Sequence, residues 1–221
     1  MTSEPVIIVA DSGPVAGLWQ APEAPQACLI LAHGAGAGMT HRSMTAIADG
    51  LEDLGVATLR YQFPCMERGS KRVDSPAVAQ ATVRAAVAEA RRRVGLLPLF
   101  AGGRSYGGRM TSQAQAAEPL ADVRGLVFFA FPLHPAGKPS TARADHLQHV
   151  SIPMLFLQGD KDGLAEVTLL RETVDGLAGR ATLHLIYSAD HAFHVPARTG
   201  RKDDEVLVEA LAAAADWMDA R

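Results

Sequence analysis

Leu97-Pro98-Leu99-Phe100-Ala101-Gly102-Gly103-Arg104-Ser105-Tyr106-Gly107-Gly108-Arg109-Met110 is the stretch on which the fold of this chain turns. The apolar run Leu97 to Ala101 predicts a short buried strand. Tyr106 to Ala117 predicts a helix that starts directly after Ser105. Between them lies the pattern Gly-x-Ser-x-Gly, as Gly103, Ser105 and Gly107. A serine so placed must occupy a strained turn that lifts its hydroxyl clear of the sheet. Glycines two residues either side let strand and helix approach where a side chain would clash. The helix N-terminus behind Ser105 favours negative charge developing there. The pentapeptide alone is a common Gly/Ser turn; its flanking elements make Ser105 a nucleophile candidate.

The same alternation extends in both directions. Upstream, Val6 to Val9 and Val15 to Trp19 are β-rich and joined by Asp11-Ser12-Gly13-Pro14, which predicts a hairpin. Ala27 to Ala32 reads as a buried strand, Ser43 to Leu54 as an amphipathic helix ended by Gly55, and Val56 to Tyr61 as a strand. A polar loop with Pro64 and Gly69 follows, then an Ala- and Arg-rich helix over Ala77 to Val94. Downstream, strands are expected over Val123 to Phe129, Pro153 to Leu157 and Ala181 to Tyr187. Helices are expected over Leu164 to Leu177 and Asp203 to Asp219. An antiparallel start followed by alternating strands and helices implies an α/β protein: a mostly parallel twisted sheet with helices on both faces. No linker, repeat or low-complexity segment divides it, so residues 1–221 are expected to form a single domain.

Composition excludes several classes. Hydrophobic residues make up 48% of the 221 and charged residues 20%, with a formal net charge of -3, as expected for a globular protein with a large core. No basic stripe suggests nucleic acid. Arg91-Arg92-Arg93 closes a helix, where positive charge suits the dipole. The two cysteines, Cys28 and Cys65, are too few for a disulfide framework. Cys28 is expected to be a buried hydrophobe. No leader-like start or membrane-length apolar run is seen, so a cytoplasmic location is the default.

Three further stretches carry candidate chemistry. In His33-Gly34-Ala35-Gly36-Ala37-Gly38, glycines let the backbone turn inward, and the Ala35 amide (alternatively Gly36) is expected to join the Tyr106 amide in holding an oxyanion. His33 reads as a structural imidazole, and the loop lacks the Lys-Ser/Thr ending of a phosphate-binding loop. In Gln158-Gly159-Asp160-Lys161-Asp162, a carboxylate can orient a histidine. Asp162 is preferred; Asp160 is the rival, or a cap for the next helix. In Asp190-His191-Ala192-Phe193-His194, His191 is preferred over His194 as the base, and Asp190 is expected to fix the loop. Ser105, Asp162 and His191 follow one another in that order, each at the carboxyl end of a strand, where open α/β sheets bind ligands. Most other histidines are expected at the surface.

With these residues in view the chain resembles the α/β-hydrolase superfamily along essentially its whole length, and most of all the small dienelactone-hydrolase-like members. HGAGAGM at His33 to Met39, RYQFP at Arg60 to Pro64 and GGRSYGGRM at Gly102 to Met110 are similar to a group of small bacterial hydrolases. That group is related to the hydrolase-like domain of a histone-acetyltransferase-complex subunit. The resemblance implies a Ser105–Asp162–His191 triad. It departs from true dienelactone hydrolases, whose nucleophile is a cysteine, so lactone hydrolysis is not inherited.

The expected chemistry is hydrolysis of a small carboxylic ester or thioester through an acyl-enzyme on Ser105, with no cofactor and no metal. The expected partner is the small-molecule substrate, with no nucleic acid and no membrane, and the chain acts as monomer or homodimer. The segment from Phe129 to Pro153 has room for a loop and one short helix around Thr141 to His149 but no lid, so the site should be open. Arg60, Arg68, Arg104 and Arg109 are candidates for greeting an anion, although Arg104 is expected to pack under the turn in an ion pair and Arg109 to lie on the following helix. Cys65 and Met66 are expected to border the pocket. The alternatives are a non-catalytic interaction module on the same fold, and peptidase, thioesterase or haloperoxidase-like chemistry.

Overall fold

Val6, Ile8 and Ala10 turn inward along β1 (Glu4–Ala10), while Ile7 and Val9 face out. That period of two is what a strand covered on one face requires. β1 folds back on β2 (Gly13–Gln20) in antiparallel register from Ala10–Gly13 to Glu4–Trp19. The runs β3 (Ala27–Ala32) and β4 (Val56–Tyr61) are buried along their whole length, as parallel strands covered on both faces must be. The computed structural model describes residues 3–70 and 72–221. In it, eight strands form one sheet in the order β1-β2-β4-β3-β5-β6-β7-β8. The remaining strands are β5 (Leu99–Arg104), β6 (Val123–Phe129), β7 (Met154–Gly159) and β8 (Ala181–Ile186). β2 pairs with β4 antiparallel, and every pairing from β4 across the sheet to β8 is parallel.

Strand alternation sorts the core into two layers. Cys28 and Ile30 of β3 face one side, under α3 (Pro76–Val94), α4 (Tyr106–Ala117) and α5 (Val167–Asp175). Leu29 and Leu31 face the other, under α1 (Arg42–Asp53) and α6 (Asp203–Asp219). Phe128, Phe131 and Phe156 meet edge-on in the first layer, with centroids 4.9–5.5 Å apart. Such pairs add to area burial through their quadrupoles. The expected hairpin, parallel sheet and two helical layers are all present. No helix of the described residues is long and apolar enough to cross a membrane.

Element ends shift for local reasons. β5 runs past its apolar stretch to Arg104, because Gly102, Gly103 and Arg104 pair with Val127, Phe128 and Phe129. The helix expected from Leu164 starts at Val167: the Glu166 carboxylate accepts from the Thr168 and Leu169 amides and caps it there. The expected polar loop after β4 contains a short helix, α2 (Pro64–Glu67), opened by Pro64 at its first position. Between β6 and β7 stand a loop and the 3-10 helix Ala142–His149, and no lid.

Candidate active site

Ser105 joins β5 to α4 at φ 52° and ψ −117°, left-handed backbone that a residue bearing a Cβ rarely adopts. Its amide donates to the Phe129 carbonyl at 2.9 Å, anchoring the turn to the neighbouring strand. A Cβ on Gly103 would lie 2.5 Å from the Ala32 carbonyl oxygen, and one on Gly107 would lie 2.4 Å from the same atom. The spacing of the motif is therefore set by backbone passing backbone.

The loops after β7 and β8 converge on this turn. A Cβ on Gly159 would meet the Ala189 carbonyl oxygen at 2.2 Å, so the two loops can touch only through a glycine. The Lys161 amide donates to the same carbonyl at 2.9 Å. Across this junction His191 Nδ1 lies 2.7 Å from Asp162 Oδ2, and His191 Nε2 lies 2.8 Å from Ser105 Oγ. With the proton on Nδ1, the imidazole donates to the carboxylate and accepts from the serine hydroxyl. Asp162 is 5% exposed, so its interactions are shielded from water. Its other oxygen accepts from the Leu164 amide at 2.7 Å, and the buried Gln158 carboxamide donates to Oδ2.

The rival carboxylates have other tasks. Asp160 accepts from the Ser188 amide at 2.6 Å and lies 3.3 Å from Lys161 Nζ; it does not cap the next helix, where Glu166 stands. Asp190 accepts from the Ala192 and His194 amides at 2.7 and 3.0 Å, which shapes the loop carrying His191. His194 turns outward to Asp203, 2.9 Å away.

His33 is a structural residue. Its Nδ1 donates to the Gly34 carbonyl at 2.8 Å and its Nε2 accepts from the Phe63 amide at 3.0 Å. Burial lowers its pKa, which keeps that acceptor available. His134 is built alike, donating to the Pro135 carbonyl and accepting from the Glu166 amide. Both imidazoles are buried, so the surface placement expected for most of the remaining histidines fails for His134. The Gly34 backbone packs on the elbow, where an added Cβ would be 3.8 Å from Ser105 Cβ. Ala35, the next residue, is exposed. Tyr106 opens α4, so its N–H has no intrahelical acceptor.

Of the four arginines considered for an anion, three are occupied. Arg60 is buried and donates to Gln20, Thr45 and Met39. Arg68 pairs with Asp74 at 2.7 Å. Arg104 donates to the His191 carbonyl at 3.2 Å. Among the described residues it forms no ion pair, contrary to expectation; the strand end points it at a carbonyl instead. Among the described residues Arg109 has no such partner. Cys65 is 3% exposed and belongs to the core beneath α2, with burial raising its thiol pKa. Gln158 went unnoticed in the sequence, although a polar residue ending the apolar run Met154 to Leu157 was the available signal. Among the described residues no three His, Cys, Asp or Glu side chains are grouped to hold a metal ion.

This topology, with a serine at the elbow after β5, defines the α/β hydrolases. Residues 25–219 match the family model described as an alpha/beta hydrolase domain, and the chain belongs to that family. In structure it is similar to an α/β serine hydrolase without a lid from Xanthomonas campestris (TM-score 0.76, 22% identity, 98% of this chain and 95% of that one). It is also similar to a dienelactone hydrolase from Anabaena variabilis (0.77, 18%, 98% and 96%) and to Est1E from Butyrivibrio proteoclasticus (0.74, 16%, 98% and 99%). In sequence it is 28% identical over 221 residues to a Mycobacterium tuberculosis protein provisionally named a phosphoribosyl transferase. The match covers 98% of this chain and 46% of that protein, so the chain spans about half the length of the curated relatives it matches.

Proposed function

We propose that the chain is a serine hydrolase that cleaves small carboxylic esters or thioesters through an acyl-enzyme on Ser105. The observation that carries the reading is the hydrogen-bonded chain from Ser105 Oγ through His191 to Asp162, at 2.8 and 2.7 Å, built on a strained turn. His191 takes the Ser105 proton as Oγ bonds to the carbonyl carbon. The tetrahedral oxyanion is held by the Tyr106 and Ala35 amides. As the carbonyl reforms, the bond to the leaving oxygen or sulfur breaks, and that atom takes the proton from His191. Water then attacks the acyl carbon, passes a proton to His191, and the acid leaves as Ser105 regains its hydrogen. Asp162 holds the imidazole with Nε2 free and stabilises its charged form. With no lid over the elbow, short acyl groups fit better than long lipids.

The serine hydrolase and dienelactone hydrolase neighbours support this class of chemistry. The phosphoribosyl transferase name is not carried over: the match covers less than half of that protein, and a serine activated by a histidine suits acyl transfer. The test is labelling by a fluorophosphonate probe beside hydrolysis of short p-nitrophenyl esters. Wild type should label and turn over, and Ser105→Ala should do neither. Equal labelling of the two proteins would remove Ser105 as nucleophile, and an unlabelled, inactive wild type would favour a non-catalytic module.

A further inference from the structure

Arg109 stands one helical turn beyond Ser105. Its amide donates to the Ser105 carbonyl at 3.2 Å, which closes the first turn, and Arg109 shares a face of α4 with Tyr106, the residue after the serine. Four residues at 1.5 Å rise put the Ser105 and Arg109 backbones about 6 Å apart along the axis. Helical side chains lean toward the N-terminus, so the Arg109 side chain leans toward the end of α4 that Ser105 caps. Arg109 is half-buried, yet among the described residues its guanidinium makes no hydrogen bond and no ion pair, and its Nε is buried without a partner.

A second cation faces it. The 3-10 helix Ala142–His149 packs along α4, and His146 Nε2 lies 2.7 Å from the Ser112 hydroxyl. Arg143 and His146 are one 3-10 turn apart and eclipse one another, as Arg109 and Ser112 share a face on α4. Arg143 thus stands beside Arg109. Burial, and then the Arg143 charge, lower the Arg109 pKa. Arg143 likewise makes no side-chain hydrogen bond or ion pair among the described residues. The adjacent carboxylate, Asp145, lines a separate cavity with Glu172 and Gln148. Two neighbouring guanidinium groups without a counterion repel each other, and burying one raises the cost. The Nε atoms of Arg60 and Arg91 are also buried without a partner, but those side chains reach acceptors through their other nitrogens, as Arg84 reaches the Ala114 and Glu118 carbonyls.

We infer that Arg109 and Arg143 form a subsite for an oxyanion on the substrate, so that the ester cleaved at Ser105 carries a carboxylate or phosphate a few bonds from its scissile carbonyl. Guanidinium forks bind both groups through paired hydrogen bonds. The substrate assignment rests on the serine hydrolase reading above; the binding subsite does not.

Two measurements separate them. The first compares kcat/KM for p-nitrophenyl hemiglutarate and the neutral p-nitrophenyl valerate. The charged-to-neutral ratio should exceed ten in the wild type and fall at least tenfold in Arg109→Gln and in Arg143→Gln, chiefly through KM. It should also fall as salt is added. The second titrates Ser105→Ala with glutarate and, separately, with inorganic phosphate. Binding should be seen and should be lost when Arg109→Gln is added. The tighter of the two ligands identifies the oxyanion. A ratio at or below one, or a ratio retained in both folded arginine variants, overturns the proposal. If neither ester is hydrolysed the Ser105 reading fails, and the titration alone then decides the subsite: no binding of either anion sinks it. Should Arg109→Gln fail to fold, Arg143→Gln carries the same comparisons.

Discussion

A serine held at φ 52° costs on the order of 1–3 kcal/mol, and that strain persists only because the surroundings over-determine it. Here the Phe129 carbonyl holds the Ser105 amide, while Gly103 and Gly107 leave no room for the turn to relax sideways. At the same scale Asp162 is fixed by three donors, from His191, Leu164 and Gln158. Asp162→Asn would present an amide N–H to Nδ1 and favour the tautomer with its proton on Nε2, where it can no longer accept from Ser105. We expect kcat to fall about 10⁴-fold with KM little changed. A stopped-flow assay of ester hydrolysis measures this; a loss under tenfold would mean that Asp162 is not the orienting carboxylate. The serine was legible from its motif and flanking elements. The choice between Asp160 and Asp162 was not, because two carboxylates two residues apart diverge only when the chain after Gly159 turns against Ala189.

Among the elements, β5 bears the closest approaches. A Cβ on Gly102 would lie 1.8 Å from the Val127 carbonyl oxygen, so alanine there must push β5 and β6 apart. Gly102→Ala should lower stability by about 3 kcal/mol, at the upper end for overpacking. Gly163→Ala meets nothing within 4 Å and should stay within about 0.5 kcal/mol of wild type. Urea unfolding of the pair checks both figures, and equal midpoints would contradict the packing account. Long periodic segments such as α4 and α6 were legible in the sequence to the residue. The start of α5 was not, because Glu166 caps the helix while Leu164 is held by Asp162, a contact made by the loop's fold rather than its composition. α2 was also missed, since four residues offer no period to read.

At the scale of the whole molecule, two imidazoles with lowered pKa make stability fall in acid. Burial lowers the pKa of His33, and burial followed by the Arg109 charge lowers that of His146 to about 4. Asp145 opposes the shift at His146, and His149 adds to it. Each group binds a proton more readily unfolded, near the ordinary 6.5, than folded. Stability from this source is therefore complete above pH 6.5 and drains away as pH falls toward about 4. His146→Gln should flatten that acid limb while retaining a partner for Ser112. Denaturant midpoints between pH 4 and 7 would show it, and parallel curves for variant and wild type would count against it.

Periodicity, turn chemistry and the order Ser105, Asp162, His191 determined the class of fold and its candidate site, because strand and helix periods and glycine spacing are local properties written along the chain. Tertiary structure alone decided which imidazoles are buried, that Gln158 supports Asp162, and that Arg60 and Arg68 are engaged while Arg109 and Arg143 make no side-chain hydrogen bond or ion pair among the described residues. Those outcomes depend on which distant groups meet when the sheet closes, and desolvation and partner distance, rather than residue type, set what each group then does.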